Sequence, residues 1–514
     1  MTEVKIAPLI PIVKLIPHIP DTDLSFLISD ALALGHANPA ILEAIDLDRD
    51  VVALEKKRVR MEDKQWLRSH GQHGLGLEDD ESLEGLSVVE LGVGRDRMPA
   101  LVVLVFLSLR GYFGGYKDSK TATTLAESRT LEILFVNFGM KMPGASTILD
   151  NINAVTPATL DLILDAQIKL ATFEKLDDFK ELVFDSTHCA GNTAWPTDSG
   201  TIAGLSIRGE HLLRSLANHG IRIKMPAVQQ SMQETIEEIH KNIQLSAGKK
   251  DSAKKRGVLY RKQMRIARKV RKQLDKGHQR AKEKLAGLRI MPSQQRTITK
   301  ILEWAAEDIK NLGLAITNAD KRINKDVKVD IKNKIVSTSD KDASMIVKGQ
   351  RDPVVGYKPQ IGRSEKGFIT SIIVPEGNAA DSSQLRPVVD SSIKRTGVTP
   401  SVLSFDDGYA NAKDRKHYLG IGVGVVSFSG SKGKKIIPEK HYNSPAYQKA
   451  RQNRSAVESL MFTLKHNHDL DQMMRRGIDN VRAEILEKSI AYNFFRLRKI
   501  RNDRAKEEAS KLAA

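Results

Sequence analysis

Three acidic residues stand apart from the general surface charge because of where the chain puts them. Asp185 closes the apolar run Leu182-Val183-Phe184, Asp406 closes Val402-Leu403-Ser404-Phe405, and Glu458 lies in a helical stretch. A carboxylate at a strand's end is held rigidly, and several brought together repel one another unless a cation binds among them. Hard oxygen donors of this kind suit Mg²⁺ or Mn²⁺, which keep waters and take up phosphate oxygens. Two such ions roughly 3.5–4 Å apart activate a water or hydroxyl and stabilise the leaving oxygen of a phosphodiester. Singly, a strand-end Asp is more often a turn former or helix cap. The set, not any one member, carries the chemistry.

The elements that would position these groups can be read around them. Around Glu458, at 100° per residue, Arg451, Arg454, Glu458 and Lys465 fall within about 60° of one another. Val457, Leu460, Met461 and Leu464 form the neighbouring apolar stripe. One helix thus packs on a core and presents an acid flanked by cations. Strands are expected at Val354 to Gln360, Phe368 to Val374, Val402 to Phe405 and Leu419 to Phe428, with a final helical stretch from about Pro445. Residues 98–175 read as consecutive short helices: Met98 to Arg110, Ser119 to Glu127, Arg129 to Phe138 with Gly139 as C-cap, one introduced by Pro143, Gly144 and Ser146, and one starting at Thr156-Pro157. They fit a helix-turn-helix module or a plain helical bundle.

Residues 1–95 read as an accessory region, with Pro-interrupted apolar stretches from Ile6 to Pro20 and a polar linker from Gly71 to Gly85. The expected organisation is a helical, DNA-binding part over 96–178, a catalytic part over 179–480 interrupted by a helical basic insertion over 205–335, and a C-terminal helix and tail over 481–514. The fold class is α/β, a mixed sheet with a large helical insertion preceded by an all-helical domain.

The chain has 514 residues and a formal net charge of +18. Residues 1–98 carry a net charge of −7, so the remainder carries +25. Lys249 to Lys284 alone holds 16 Lys and Arg against Asp251, Asp275 and Glu283. In it Arg261, Arg265, Arg268, Lys269, Lys272 and Lys276 recur at helical spacing beside the apolar Leu259, Ile266, Val270 and Leu274. Such a helix packs on one side and shows a basic ridge to phosphates on the other, or is a solvated arm. An excess of this size points to a polyanion, with nucleic acid the first candidate. The single cysteine, Cys189, excludes a disulfide framework and a Cys-cluster zinc site, and fits a reducing cytosol. The longest apolar run, Met98 to Leu109, is too short to span a bilayer, and the N-terminus lacks a signal-peptide layout.

With these segments in order, the sequence resembles the DDE transposases of bacterial insertion sequences. Val183-Phe184-Asp185-Ser186-Thr187 followed by Trp195-Pro196-Thr197-Asp198-Ser199 is similar to the family's first-aspartate block. Ser337 to Ala343, Gly356-Tyr357-Lys358, and Pro375-Glu376-Gly377-Asn378 with Asp381 resemble later blocks. Asp406-Asp407-Gly408-Tyr409 resembles the second-aspartate block and selects Asp406 over Asp407. Arg454-x₃-Glu458-x₆-Lys465 is similar to the Tyr-Arg-Glu-Lys signature; the signature's tyrosine would fall at Arg451, and the nearest one is Tyr447. The long insertion between Asp185 and Asp406 is closest to the layout of ISNCY-type elements.

The resemblance implies a ribonuclease-H-like fold with Asp185, Asp406 and Glu458 as catalytic residues holding two Mg²⁺ ions, Mn²⁺ being a possible substitute. It implies that Arg454 and Lys465 hold DNA near the scissile bond; the charge and spacing of the basic run make Arg261, Arg265, Arg268 and Lys272 the further expected DNA contacts. Asp198, Asp340 and Asp342 read as cap or turn residues and Trp195 as packing. The implied partners are double-stranded DNA, as terminal inverted repeats and target, and further copies of the chain. The implied place of action is the bacterial cytoplasm, at the nucleoid. A metal-dependent endonuclease of the same fold, or an inactive domesticated DNA-binding protein, are the alternatives.

Overall fold

The computed structural model describes residues 23–70, 97–114, 117–137, 141–224, 228–246, 252–330, 333–347 and 352–513. The stretch from Ile6 to Pro20, the linker from Gly71 to Gly85 and the C-cap at Gly139 lie outside them. The chain divides into two compact units, one of Met1–Val52, Val88–Asn192 and Asp342–Ala514, the other of Ala53–Ser87 and Thr193–Lys341.

In chain order the helices before the sheet are α1 (Asp23–Ala37), α2 (Pro39–Ser69), α3 (Ala100–Tyr112), α4 (Asp118–Ala126), α5 (Arg129–Asn137), α6 (Ala145–Asn153) and α7 (Pro157–Phe173). Strands β1 (Glu181–Ser186) and β2 (Cys189–Ala190) follow. Then come α8 (Asp198–Ser215), α9 (Val228–Leu245), α10 (Ser252–Ala286) and α11 (Pro292–Asn324). The sheet resumes with β3 (Ser344–Ile346), β4 (Val354–Tyr357), β5 (Gln360–Ser364) and β6 (Ile369–Ile373), then α12 (Asp381–Thr396), β7 (Val402–Phe405), α13 (Ala412–Gly420) and β8 (Val425–Phe428). The last helices are α14 (Ser431–Ile436), α15 (Glu439–Tyr442), α16 (Pro445–Asn453), α17 (Ser455–Asn467) and α18 (Ile478–Ala513). No helix among the described residues is long and apolar enough to cross a membrane.

The first unit is built on a five-stranded mixed sheet in the order β6-β5-β1-β7-β8. β1 runs antiparallel to β5 and parallel to β7, and β7 runs parallel to β8. This is the mixed sheet expected of a ribonuclease-H-like fold. The register aligns Phe184 with Phe405 and Phe405 with Phe428. Their rings lie 5.1 and 5.7 Å apart and join Leu385, Val388 and Val389 of α12 in one buried core. Apolar runs ending at one level therefore pack as a row. A small second sheet, β2-β4-β3, lies on the path into β5.

Two expected strands change. The run from Val354 to Gln360 is cut after Tyr357, where Pro359 has no N–H to give a ladder. Leu419 is still in α13; Gly422, at φ 101°, turns the chain and the strand begins at Val425.

The short helices form where their caps and apolar runs place them. Thr156 caps α7 through Thr159 N (3.4 Å), with Pro157 opening the first turn. α3 is apolar on every side and is covered by α1 and α18. At Gly111 the two backbones of α3 and α18 touch: a Cβ there would lie 2.0 Å from the Glu487 carbonyl oxygen. Only glycine permits that crossing.

The second unit has its own apolar core, drawn from α8, α9, α10 and α11. On α10, Met264, Ala267, Val270, Leu274 and Ala281 are buried, while Leu259 and Ile266 of the expected stripe are half-buried. The basic helix is thus one wall of a bundle.

Candidate active site

Residues alternate between the faces of a strand. Phe184 and Phe405 point into the α12 core, so Asp185 and Asp406, one residue further, point to the other face. Ser404 reports what covers that face: its hydroxyl donates to the Ala450 carbonyl of α16 at 2.8 Å. Asn453, at the end of α16, donates to Glu181 of β1 at 3.1 Å. The expected single helix through Arg451, Arg454 and Glu458 is interrupted at Arg454, which closes α16 and opens α17 while keeping φ −54° and ψ −34°. The interruption puts Arg454 directly over the strand ends.

Four of the expected residues are brought together there. Arg454 Nη1 is 3.7 Å from Asp185 Oδ2 and 3.8 Å from Asp406 Oδ1, and Nη2 is 2.6 Å from Glu458 Oε1. The two aspartates are braced: Ser186 N donates to Asp185 Oδ1 at 2.7 Å, and the Ser429 hydroxyl, just past β8, donates to Asp406 Oδ1 at 2.9 Å. Arg451 in turn donates to the Ser429 carbonyl at 2.9 Å. Where the signature tyrosine would stand, this arginine supports the residue that supports Asp406. Tyr447 is buried and ties α16 to β8, accepting from Phe428 N and donating to Phe428 O.

Each residue of Asp406-Asp407-Gly408-Tyr409 has a separate physical duty. Asp407 is spent on the amides of Lys432 and Gly433 at the start of α14 (3.1 and 2.9 Å), so its side chain points away from the neighbouring carboxylates. A Cβ at Gly408 would lie 2.9 Å from Asp381 Oδ2, so glycine makes room for that carboxylate. Tyr409 is buried and donates to Gln360 Oε1. Burial, with the negative charges of Asp381, Asp185 and Asp406 nearby, holds its hydroxyl protonated well above the usual range. Asp381 is neutralised by Lys358 at 2.8 Å and held by Gln360 at 3.3 Å. Sequence reasoning marked Lys358 and Asp381 by their blocks without a duty, and passed over Gln360 and Ser429.

The other expected contacts lie elsewhere. Lys465 pairs with the exposed Asp471 at 2.9 Å, next to the segment that docks on β2. Arg261, Arg265, Arg268 and Lys272 are exposed on α10 of the second unit, and Arg268 lies 3.5 Å from Asp320. Thr197, not Asp198, caps α8; Asp198 pairs with Arg322 at 2.7 Å. Trp195 is 54 % exposed and so does not pack. Asp342 accepts from Ile478 N at the start of α18 (2.8 Å). Cys189 is buried, and burial pushes its thiol up to about 12, so it stays protonated.

The donor set fits a hard divalent cation in chemistry: three carboxylates converge on one positive group with no sulfur or imidazole among them. As they stand, no group of three His, Cys, Asp or Glu among the described residues could hold a metal ion. The guanidinium of Arg454 lies between the acids, paired with all three.

The sheet and site define a class, a ribonuclease-H-like domain with carboxylates gathered at the ends of neighbouring parallel strands. Residues 329–494 match the family model of the transposase DDE domain. This segment of the chain is thereby similar to a transposase DDE domain. The matched stretch contains Asp406, Arg454, Glu458 and Lys465; Asp185 precedes it and joins them through its register with β7. No curated protein and no solved structure matches the chain.

Proposed function

We propose that this chain is a DDE transposase that nicks the ends of its insertion sequence and joins the freed 3′ hydroxyl to target DNA at one carboxylate centre. The observation that carries the reading is the convergence of Asp185, Asp406 and Glu458 on a single cation position. Asp185 and Asp406 are the rigid members, braced by Ser186 N at the end of β1 and by the Ser429 hydroxyl just past β8. Glu458, on a helix and 58 % exposed at its side chain, is the adjustable one. These three would hold two Mg²⁺ ions, or Mn²⁺ in their place. When bound, the ions supply an activated water or 3′ hydroxyl and stabilise the leaving oxygen. Ser429 and Arg451 keep Asp406 aimed at the centre. Lys358 and Gln360 hold the Asp381 carboxylate, and Tyr409 holds Gln360 in turn.

On this reading DNA is held by phosphate contacts, with Arg454 and Lys465 near the scissile bond and Arg261, Arg265, Arg268 and Lys272 as further contacts. Residues 96–178 recognise the inverted repeats, and two or more copies of the chain bring two ends together. The reaction takes place in the bacterial cytoplasm, at the nucleoid. The test is Mg²⁺-dependent nicking and strand transfer on a duplex carrying the element's end. Asp185→Ala, Asp406→Ala and Glu458→Ala should each abolish both steps while leaving specific DNA binding intact. A variant that still joins ends at near wild-type rate removes that residue from the centre.

A further inference from the structure

Arg454 makes ion pairs with all three carboxylates, and its side chain is 22 % exposed. Both terminal nitrogens are directed at acids, so neither is left for a bidentate grip on phosphate. The guanidinium lies among the three carboxylates, so it is the group that a cation entering between them would have to displace. We propose that Arg454 is an exchangeable internal counter-cation. It holds the three carboxylates together in the ion-free chain, and it passes from them to a DNA phosphate as divalent ions enter.

The geometry favours exchange over a permanent pair. The aspartates are fixed by Ser186 N and the Ser429 hydroxyl, so they stay in place when the guanidinium leaves. The tightest contact is to Glu458, whose carboxylate is the most exposed of the three and moves with it. Arg454 lies at the junction of α16 and α17 rather than in a strand, so its side chain can move without displacing one. A guanidinium matches carboxylate and phosphate equally well. By linkage, a phosphate that draws Arg454 away raises divalent-ion affinity, and the ions raise phosphate affinity by the same factor. Arg454 is then a positioning residue that couples two binding events, in addition to any contact of its own with DNA.

This rests on the reading of the trio as the metal centre, and the experiment separates the two. Mn²⁺ binding to the full chain is measured by loss of the free-ion electron paramagnetic resonance signal, without and with a short duplex. The midpoint of thermal unfolding is recorded at each ion concentration. Arg454→Gln should bind Mn²⁺ about tenfold more tightly than wild type without DNA, a unit charge near the ion having been removed. It should gain more in unfolding midpoint from Mn²⁺, and the duplex should raise its ion affinity less. Arg454→Lys should lie between. Unchanged or weaker Mn²⁺ binding in Arg454→Gln, with Lys no different from Gln, overturns the counter-cation. If Asp406→Asn binds Mn²⁺ as wild type does, the metal centre itself is misplaced and the inference falls with it.

Discussion

Two clusters of arginine and carboxylate in the first unit are built from the same groups and behave in opposite ways. In one, Glu487 of α18 is 2 % exposed and lies between Arg110 of α3, which donates to it, and Arg475, which meets it with two bonds of 2.6 and 3.1 Å. Arg110 also donates to Asn153 and the Ile152 carbonyl, Arg475 to Asp118. Glu484 accepts from Met474 N and Arg475 N, and Lys488 pairs with it at 2.9 Å. Burial alone would raise the Glu487 carboxyl, but the two guanidiniums more than offset it and hold the carboxyl low. In the other cluster, the Arg454 guanidinium meets three acids, of which Asp185 is buried and Asp406 and Glu458 reach the surface. Charges balanced and dry make a joint; charges unbalanced and wet make a site.

The sharpest way to break this contrast is to remove one acid from each cluster. Asp406→Asn should lower nicking by about a thousandfold or more, several kcal/mol of lost stabilisation. Its unfolding midpoint should be unchanged or slightly higher, because a repelling charge is gone. A large fall in midpoint would make Asp406 structural. Glu487→Ala should do the reverse. It strands two buried guanidiniums and should cost about 3–5 kcal/mol of stability, read as a fall in denaturation midpoint. Any activity lost should follow the unfolded fraction.

A smaller effect is expected from acid. His468, next to Lys488 in the buried cluster, is pushed down to about 4 by burial first and by the Lys488 charge second. A folded-state value below the unfolded one means that stability is fully present above about pH 6.5 and is lost as pH falls toward 4. The loss should reach about 3 kcal/mol, and His468→Phe should remove most of it in denaturant titrations at pH 7 and 4.5. An equal acid response in both proteins would shift the cause to the Glu487 pair. The mildest change concerns charges outside both clusters. Replacing Arg261, Arg265, Arg268 and Lys272 by Gln should leave the unfolding midpoint within about 0.5 kcal/mol of wild type. It should flatten the salt dependence of DNA binding by up to about four contacts' worth of slope. An unchanged slope makes α10 only a wall of its bundle.

How much of this was legible in the sequence follows from the range of each signal. Apolar runs ending in Asp185 and Asp406 are local, and parallel pairing of β1 with β7 turned two local signals into one row. The turn chemistry of α7 at Thr156-Pro157 was equally local. The break at Arg454 was not visible, because every residue from Lys449 to Glu458 is compatible with a helix. Ser429 and Gln360 were missed because nothing near them in sequence marks them; they matter through strands paired at long range. Asp198 was misread as a cap for a comparable reason. Its carboxylate is taken by Arg322, far along the chain, and Thr197 was free for the amide of Gly200. The Glu487 cluster was unreadable altogether, since its three charged members come from three separate segments.

That last cluster also sets a timetable. Arg110 and Glu487 are 377 residues apart, and α3 meets α18 through a bare backbone contact at Gly111. At ordinary translation rates the ribosome needs about 20 to 75 s to make the intervening chain. Through that interval the apolar surface of α3 has no α18 to cover it. Asn493 of α18 also closes the outer strand β6, bonding Ile369 N and O at 2.9 and 3.2 Å. A chain cut before α18 would keep both an uncovered helix and an open sheet edge, and chaperones or proteases should reach it first. Interrupted synthesis would thus yield material for degradation.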